Sequence, residues 1–133
     1  MLANVNYLAV LLSAIVMMLV GFVWYHPKVL GDTWMRLIGK SSVELGNPKS
    51  GYALTFVAAL VLSWTLAEVL KFSAATTLPG ALKMAFIVWL GFVASTSLTN
   101  AIFAGKKRNL YLLEQGHHLV SMLAAAVVLT WLP

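Results

Sequence analysis

The sequence predicts an all-α fold: an integral membrane bundle of four transmembrane helices, with a short amphipathic interfacial helix between the first two. Of the 133 residues, 61% are hydrophobic and only 10% are charged, whereas a soluble domain carries about 25% charged residues. Four apolar stretches are long enough to cross the hydrocarbon core of a bilayer, which takes about 20 helical residues. They cover residues 5–24, 52–72, 82–104 and 111–131. We expect the whole chain, residues 1–133, to form one domain.

Basic residues are divided unevenly between the two sides of this predicted bundle. The first and third connections, which lie on one side of a four-span bundle, together carry seven Lys and Arg residues. The opposite side carries only Lys71 and Lys83. The positive-inside rule therefore places connections one and three in the cytoplasm and both termini outside. The net charge of +5 is explained by this topology and by anionic headgroups, so we expect membrane lipids and no nucleic acid as partners. The seven basic residues of the first and third connections are Lys28, Arg36, Lys40, Lys49, Lys106, Lys107 and Arg108.

Residues 27–40 show the pattern of an amphipathic helix that lies in the membrane plane. Apolar residues recur at i, i+4, i+7 and i+8, and charged residues occupy another face. We expect Asp32 or Thr33 to cap this helix. A capping-box pattern from Ser41 to Glu44 predicts one more short turn. The apolar set is Leu30, Trp34, Leu37 and Ile38, and the charged set is Asp32, Arg36 and Lys40.

The fourth apolar stretch contains ionisable residues where lipid-facing residues are expected. Glu114, His117, His118 and Ser121 follow an i, i+3, i+4, i+7 pattern and share an arc about 100° wide on a helix. Gln115 lies in the same segment. Charged and titratable groups inside a spanning helix are costly, so they usually face the bundle interior and mark a functional site.

The third stretch carries a matching polar face. Thr96 and Asn100 share this face with Ser95 and Thr99, at a depth similar to that of the histidines. Because polar faces at one level are expected to meet, we predict that they form the other wall of a polar cavity near the cytoplasm.

Two further polar residues are secondary candidates. His26 closes the first stretch, where it either caps the cavity or belongs to an aromatic belt with Trp24 and Tyr25. Glu68 stands apart, near the outer end of the second stretch, where it either forms a smaller outer cluster with Thr65 and Asn6 or meets water or Lys71, and we expect the latter.

Three chemistries stay open for the inner cluster. The leading hypothesis is a small channel or transporter-like or ligand-binding bundle, because Glu114, His117 and His118 can carry protons, with Asn100 and Thr96 as neutral ligands. The first alternative is a non-transporting scaffold or accessory protein whose polar residues only fix helix packing. The second is a metal-dependent membrane enzyme, since Glu114-x-x-His117 has the spacing of di-metal bundle sites. Whether metal binds is undetermined, because the motif occurs once.

Enzyme and cofactor motifs are otherwise missing from the sequence. There is no cysteine, which removes thiolate chemistry, and there is no Gly-rich phosphate loop or His-Glu-x-x-His motif. We therefore expect no cofactor, and a role other than that of an enzyme is favoured.

Small residues at several helix positions favour a homo-oligomer. They allow close approach of helices, but packing within one subunit uses the same kind of residue, so the sequence does not separate the two uses. The positions are Ala9, Ser13, Gly21, Gly91 and Ser95.

One segment resembles a known family. Gly21-Phe22-Val23-Trp24-Tyr25-His26-Pro27, followed by Gly31-Asp32-Thr33-Trp34-Met35 and Gly39, resembles small bacterial membrane proteins catalogued as domain of unknown function 1761. The resemblance extends over nearly the whole chain. It implies four spans and a bacterial cytoplasmic (inner) membrane, and it implies no activity and no site residues.

Overall fold

The computed structural model of the chain describes residues 4–40 and 49–133, which contain helices and no strand. Four of the helices in these ranges are long and apolar enough to cross a membrane. This confirms the predicted all-α class and the four helices of spanning length. They are the first span, Tyr7–Trp24, the second, Lys49–Phe72, the third, Leu78–Phe103, and the fourth, Arg108–Trp131.

Polar caps explain why the spans begin elsewhere than the apolar stretches do. The first span begins two residues late because the Asn6 side chain accepts hydrogen bonds from the N–H groups of Leu8 and Ala9, at 3.0 and 3.3 Å. The third begins four residues early because the Thr77 hydroxyl accepts from the N–H of Gly80 at 3.2 Å. Pro79, in the first turn of this helix, has a backbone angle that suits that position.

The first connection forms a π-helical turn, Pro27–Gly31, that runs directly into an α-helix, Asp32–Ile38. We call the second element the connecting helix. The expected cap at Asp32 or Thr33 is wrong, because the backbone is already helical there and His26 accepts from the N–H of Lys28 at 3.1 Å. The helix ends at Gly39, whose φ of +74° is readily adopted by glycine. The predicted turn from Ser41 to Glu44 lies outside the described residues.

The four spans pack in the order second, first, fourth, third. The first span contacts both the second and the fourth, and the third packs mainly on the fourth. Within the third span a π-helical segment, Trp89–Ala94, interrupts the α-helix. Leu78–Val88 makes most of the contacts with the fourth span, whereas Ser95–Phe103 makes few. The second half of the third span is therefore poorly covered by the rest of the chain.

We call the end of the bundle that carries the first and third connections the basic end. A core rich in alanine holds the spans together nearer the other end. The Ser13 hydroxyl donates to the carbonyl of Ala125 at 3.4 Å, so the small polar residue is satisfied inside this core. Small side chains let the helix backbones approach closely. The fully enclosed alanines are Ala9, Ala14, Ala81, Ala85, Ala125 and Ala126.

Candidate functional site

His117 lies between the first and fourth spans and is surrounded by aromatic rings. Its ring centroid is 5.1 Å from that of Tyr25, 6.3 Å from that of Trp24 and 5.1 Å from that of His118. Its Nε2 atom is 3.3 Å from the hydroxyl oxygen of Ser121. We call these five residues, Trp24, Tyr25, His117, His118 and Ser121, the histidine–aromatic cluster.

Gly21 leaves the space that the His117 ring occupies. A Cβ atom at this position would lie 3.3 Å from Nε2 of His117, closer than most side-chain contacts. The absence of a side chain on the first span therefore lets the imidazole of the fourth span fit beside it.

The connecting helix covers the cluster on the side of the basic end. Trp34 packs edge-on against Tyr25, with 5.4 Å between ring centroids. A Cβ atom on Gly31 would overlap the carbonyl oxygen of Tyr25 and lie 2.9 Å from the carbonyl carbon of His26. Only glycine fits there, so this residue allows the chain to fold back and bring Trp34 onto Tyr25.

Tyr25 carries the hydroxyl group at this junction. Burial of the phenol, and then the negative charge of Glu114, raise the pKa of Tyr25 to about 12. The phenol therefore stays neutral at physiological pH and keeps its O–H donor.

Two indoles fix the fourth span beside the cluster. Trp24 of the first span donates from Nε1 to the carbonyl oxygen of Leu113, and Trp89 of the third donates to that of Gln115, both at 3.1 Å. Gly116 follows Gln115 directly, and a Cβ atom there would come within 3.1 Å of the Trp24 ring. The first half of the fourth span is thus held on both sides by N–H donors from neighbouring helices.

A third tether joins the fourth span to the π-helical segment. The Tyr111 hydroxyl donates to the carbonyl oxygen of Ala94 at 2.7 Å. This bond ties the first turn of the fourth span to the C-terminal end of that segment.

Three buried polar atoms near this region have no hydrogen-bond partner among the described residues. They are Nδ1 of His117, Oε1 of Gln115 and Nε1 of Trp34. Such atoms are rare in folded proteins, since each loses its water without replacement. Nδ1 of His117 is the only one of the three that belongs to a titratable side chain.

Glu114 is paired with a lysine that the sequence did not point to. Nζ of Lys106 lies 2.9 Å from a carboxylate oxygen of Glu114, and the two side chains are 31% and 26% exposed. The turn at Ala104–Gly105 brings the third connection back over the start of the fourth span. The acidic residue therefore lies at the solvent-accessible edge of the cluster.

The predicted second wall of the cavity is elsewhere. Ser95, Thr96, Thr99 and Asn100 are exposed on the outside of the third span, where they line a groove with Phe103. The expectation that this face meets the histidines is wrong. The reason is that the first span supplies the cover: its large aromatic rings enclose the imidazoles, and two of the hydroxyls on the third span bond to their own helix.

The structure places the secondary candidate residues in different environments. Ser121 belongs to the cluster, and Gln115 is buried on the side of the fourth span that faces Trp89. His26 is exposed, and its ring caps the π-helical turn instead of facing the cluster. Glu68 lies apart from the cluster and is only 6% exposed, so its expected contact with water is wrong, whereas its contact with Lys71 stays a prediction.

The described residues contain no group of three or more His, Cys, Asp or Glu side chains that could hold a metal ion. In the cluster, Nε2 of His117 points to Ser121 and Glu114 points to Lys106. The Glu-x-x-His spacing thus does not bring its two side chains to one point.

Comparison with known proteins identifies a family. The family model described as "Protein of unknown function (DUF1761)" matches residues 8–130. No curated protein and no solved structure matches the chain. Five of the residues that carry the resemblance lie at the histidine–aromatic cluster: Gly21, Trp24 and Tyr25 contact His117 or the helix that carries it, and Gly31 and Trp34 pack on Tyr25. The chain belongs to the DUF1761 family.

Proposed function

We propose that this protein is an integral bundle of the bacterial cytoplasmic membrane that binds protons at the histidine–aromatic cluster, from the cytoplasmic side. His117 is the proton acceptor, His118 and Ser121 are its partners, and Glu114 is the charged group at the entrance. The observation that supports this most directly is the buried Nδ1 atom of His117, which has no hydrogen-bond partner among the described residues.

The hydrogen bonds available to the His117 imidazole support proton binding. A neutral ring has one donor and one acceptor nitrogen, and the Ser121 hydroxyl can pair with Nε2 in either state. Nδ1 is left over, so it can take a proton without breaking a bond that already exists. The aromatic faces of Trp24 and Tyr25 would attract the resulting cation, as cation–π contacts do.

The route to the ring runs along one face of the fourth span. Glu114 is partly exposed beside Lys106, and His118 contacts His117 at 5.1 Å between ring centroids. The positive-inside rule places the basic end in the cytoplasm. Asn100 and Thr96 are not part of this site, because they lie on the outside of the third span.

Fluorescence of Trp24 provides the test. A protonated imidazole quenches a nearby indole, and the two rings are 6.3 Å apart. In lipid nanodiscs, tryptophan emission should fall through one transition as the pH is lowered from 8 to 3. His117→Gln should abolish that transition, while the matched control His26→Gln, at an exposed histidine, should keep it.

An unchanged transition in His117→Gln, or its absence in the unaltered protein, would refute the proposal. Circular dichroism of each variant shows whether the helices remain. Proton flux into pyranine-loaded proteoliposomes then separates two forms of the function. Flux that is lost in His117→Gln indicates transport, and a fluorescence transition without flux indicates proton binding alone.

A scaffold is the second candidate, and one observation favours it. The indole N–H groups of Trp24 and Trp89 bond directly to the fourth span, so helix packing there is completed by the chain itself. In this case His117→Gln lowers thermal stability, and neither the unaltered protein nor any variant shows a fluorescence transition between pH 8 and 3.

A further inference from the structure

The outside of the third span carries a polar surface that the histidine–aromatic cluster does not use. Ser95, Thr96, Thr99 and Asn100 are all exposed, on the half of the span that has few contacts with the fourth. We call these four residues the outer polar patch. In a membrane-embedded bundle, which is the part of the proposed function on which this inference rests, the patch faces lipid.

Two members of the patch are satisfied by their own helix and two are not. The Ser95 hydroxyl donates to the carbonyl of Gly91, and the Thr99 hydroxyl donates to that of Ser95. The side chains of Thr96 and Asn100, one turn apart, form no hydrogen bond within the described part of the chain. The hydrocarbon chains of lipid offer no hydrogen-bonding groups in place of water, so an amide and a hydroxyl left among them are costly.

We propose that the outer polar patch is the interface with a second copy of this chain. Hydroxyl and amide groups each donate and accept hydrogen bonds, so the patch is complementary to itself. A twofold axis along the membrane normal places the same residues of two copies at the same depth. Asn100 then meets Asn100 and Thr96 meets Thr96 of the second copy.

The backbone near the patch is also open to close approach. Gly91, Ser95 and Thr99 recur at four-residue intervals, the spacing at which small residues line one helix face. Gly91 is exposed, and no atom lies within 4 Å of the place where its Cβ would be. The small residues of the first span are used within the subunit: Ala9 and Ser13 are buried, and Gly21 lies against His117. The structure thus separates two sets of small residues that the sequence leaves mixed.

Single cysteines test the interface, because the chain has none of its own. Thr96→Cys in native membranes, oxidised with copper phenanthroline, should give a disulfide-linked species of twice the monomer mass. The control is Thr55→Cys: this residue is exposed on the second span, its hydroxyl bonds to its own helix, and it lies at a similar distance from the basic end. It should stay largely monomeric.

Three outcomes overturn the proposal. They are a Thr96→Cys protein that remains monomeric, equal cross-linking of the two variants, and a cross-linked species whose mass identifies a different protein.

A steric pair of variants tests close approach. Gly91→Leu should raise the dissociation constant of the dimer about tenfold, since a side chain would separate the backbones. Gly51→Leu is the matched control, because Gly51 is an exposed helical glycine with equally open space. Asn100→Leu should weaken the dimer about threefold, the effect of losing one bond of typical strength between membrane helices. Native mass spectrometry from mild detergent measures both, and equal effects at Gly91 and Gly51 would count against the interface.

The same variants keep this inference distinct from the proposed function. The patch lies on the outside of the third span, away from His117. Gly91→Leu should therefore leave the pH transition of Trp24 fluorescence unchanged, whether or not the dimer forms.

Discussion

The fourth and third spans each carry four polar residues on one helix face, yet the structure treats the two faces in opposite ways. The face with His117 and His118 is enclosed by rings from the first span and the connecting helix. The face with Thr96 and Asn100 is exposed. Polarity on one face of a helix is therefore not enough to say that the face points inward. What distinguishes the two is whether large side chains on neighbouring elements have room to cover them.

The largest expected effect comes from a substitution that disturbs the turn bringing the connecting helix over the face with His117 and His118. Gly31→Ala should lower the free energy of unfolding by about 3 kcal/mol, the upper range for steric overpacking, because a Cβ would overlap the carbonyl oxygen of Tyr25. SDS titration in mixed micelles measures this. Gly51→Ala is the control, since the added methyl group has open space around it and should stabilise the helix slightly. Equal stability of the two variants would contradict the account of Gly31.

A smaller effect follows from removing one hydrogen bond beside the cluster. Trp24→Phe keeps an aromatic ring but loses the Nε1 donor to the Leu113 carbonyl, so it should cost about 1 kcal/mol of stability. Trp131→Phe makes the same change at an indole that is 72% exposed and should cost almost nothing. Similar losses at both sites would mean that the bond to Leu113 contributes little.

The ion pair at the edge of the cluster should contribute even less to the free energy of unfolding. Lys106→Ala removes the ion pair with Glu114, which is partly exposed, so the expected loss is about 0.5 kcal/mol or less. The loss should shrink as salt concentration rises, because salt screens the pair. Lys107→Ala, next to it and also exposed, serves as the control. A loss that does not depend on salt would point to packing by the lysine stem instead.

A substitution in the outer polar patch should leave the stability of the subunit almost unchanged. Thr99→Val removes a hydroxyl whose only hydrogen bond within residues 4–40 and 49–133 is to Ser95 of its own helix, and the free energy of unfolding of the monomer should change by less than about 0.5 kcal/mol. Thermal unfolding in a detergent that separates the copies measures this. A larger loss would show that the third span packs more closely within the subunit than its exposure indicates.

Much of the fold could be predicted because the pattern is strong and local. Four apolar stretches, each about 20 residues long, are enough to predict four helices. The helix boundaries were harder to place because they depend on caps such as Asn6 and Thr77, which lie at or beyond the edges of the apolar stretches. His26 as a cap was missed because histidine is not a usual capping residue.

The candidate site was predicted only in part. Helical spacing correctly placed His117, His118 and Ser121 together, because all three lie on one helix. Spacing could not identify what covers them, because Trp24, Tyr25 and Trp34 come from elements about 80 to 90 positions away in the sequence. Gly31 belongs to the segment that carries the family resemblance, but its steric role depends on how the chain turns at Tyr25. The pairing of Lys106 with Glu114 depends likewise on the turn between two helices.

The sequence by itself determined the class of this protein, the number of long helices and the polar residues that each helix presents on one face. Those properties follow from hydrophobic length and from the 3.6-residue helical repeat, which act within a single segment. Only the tertiary structure decided which polar face is enclosed and which is exposed. That choice depends on the packing order of the helices and on contacts between distant side chains, such as Tyr25 on His117. A helix carries its pattern wherever it packs, but the environment of each face is supplied by its neighbours.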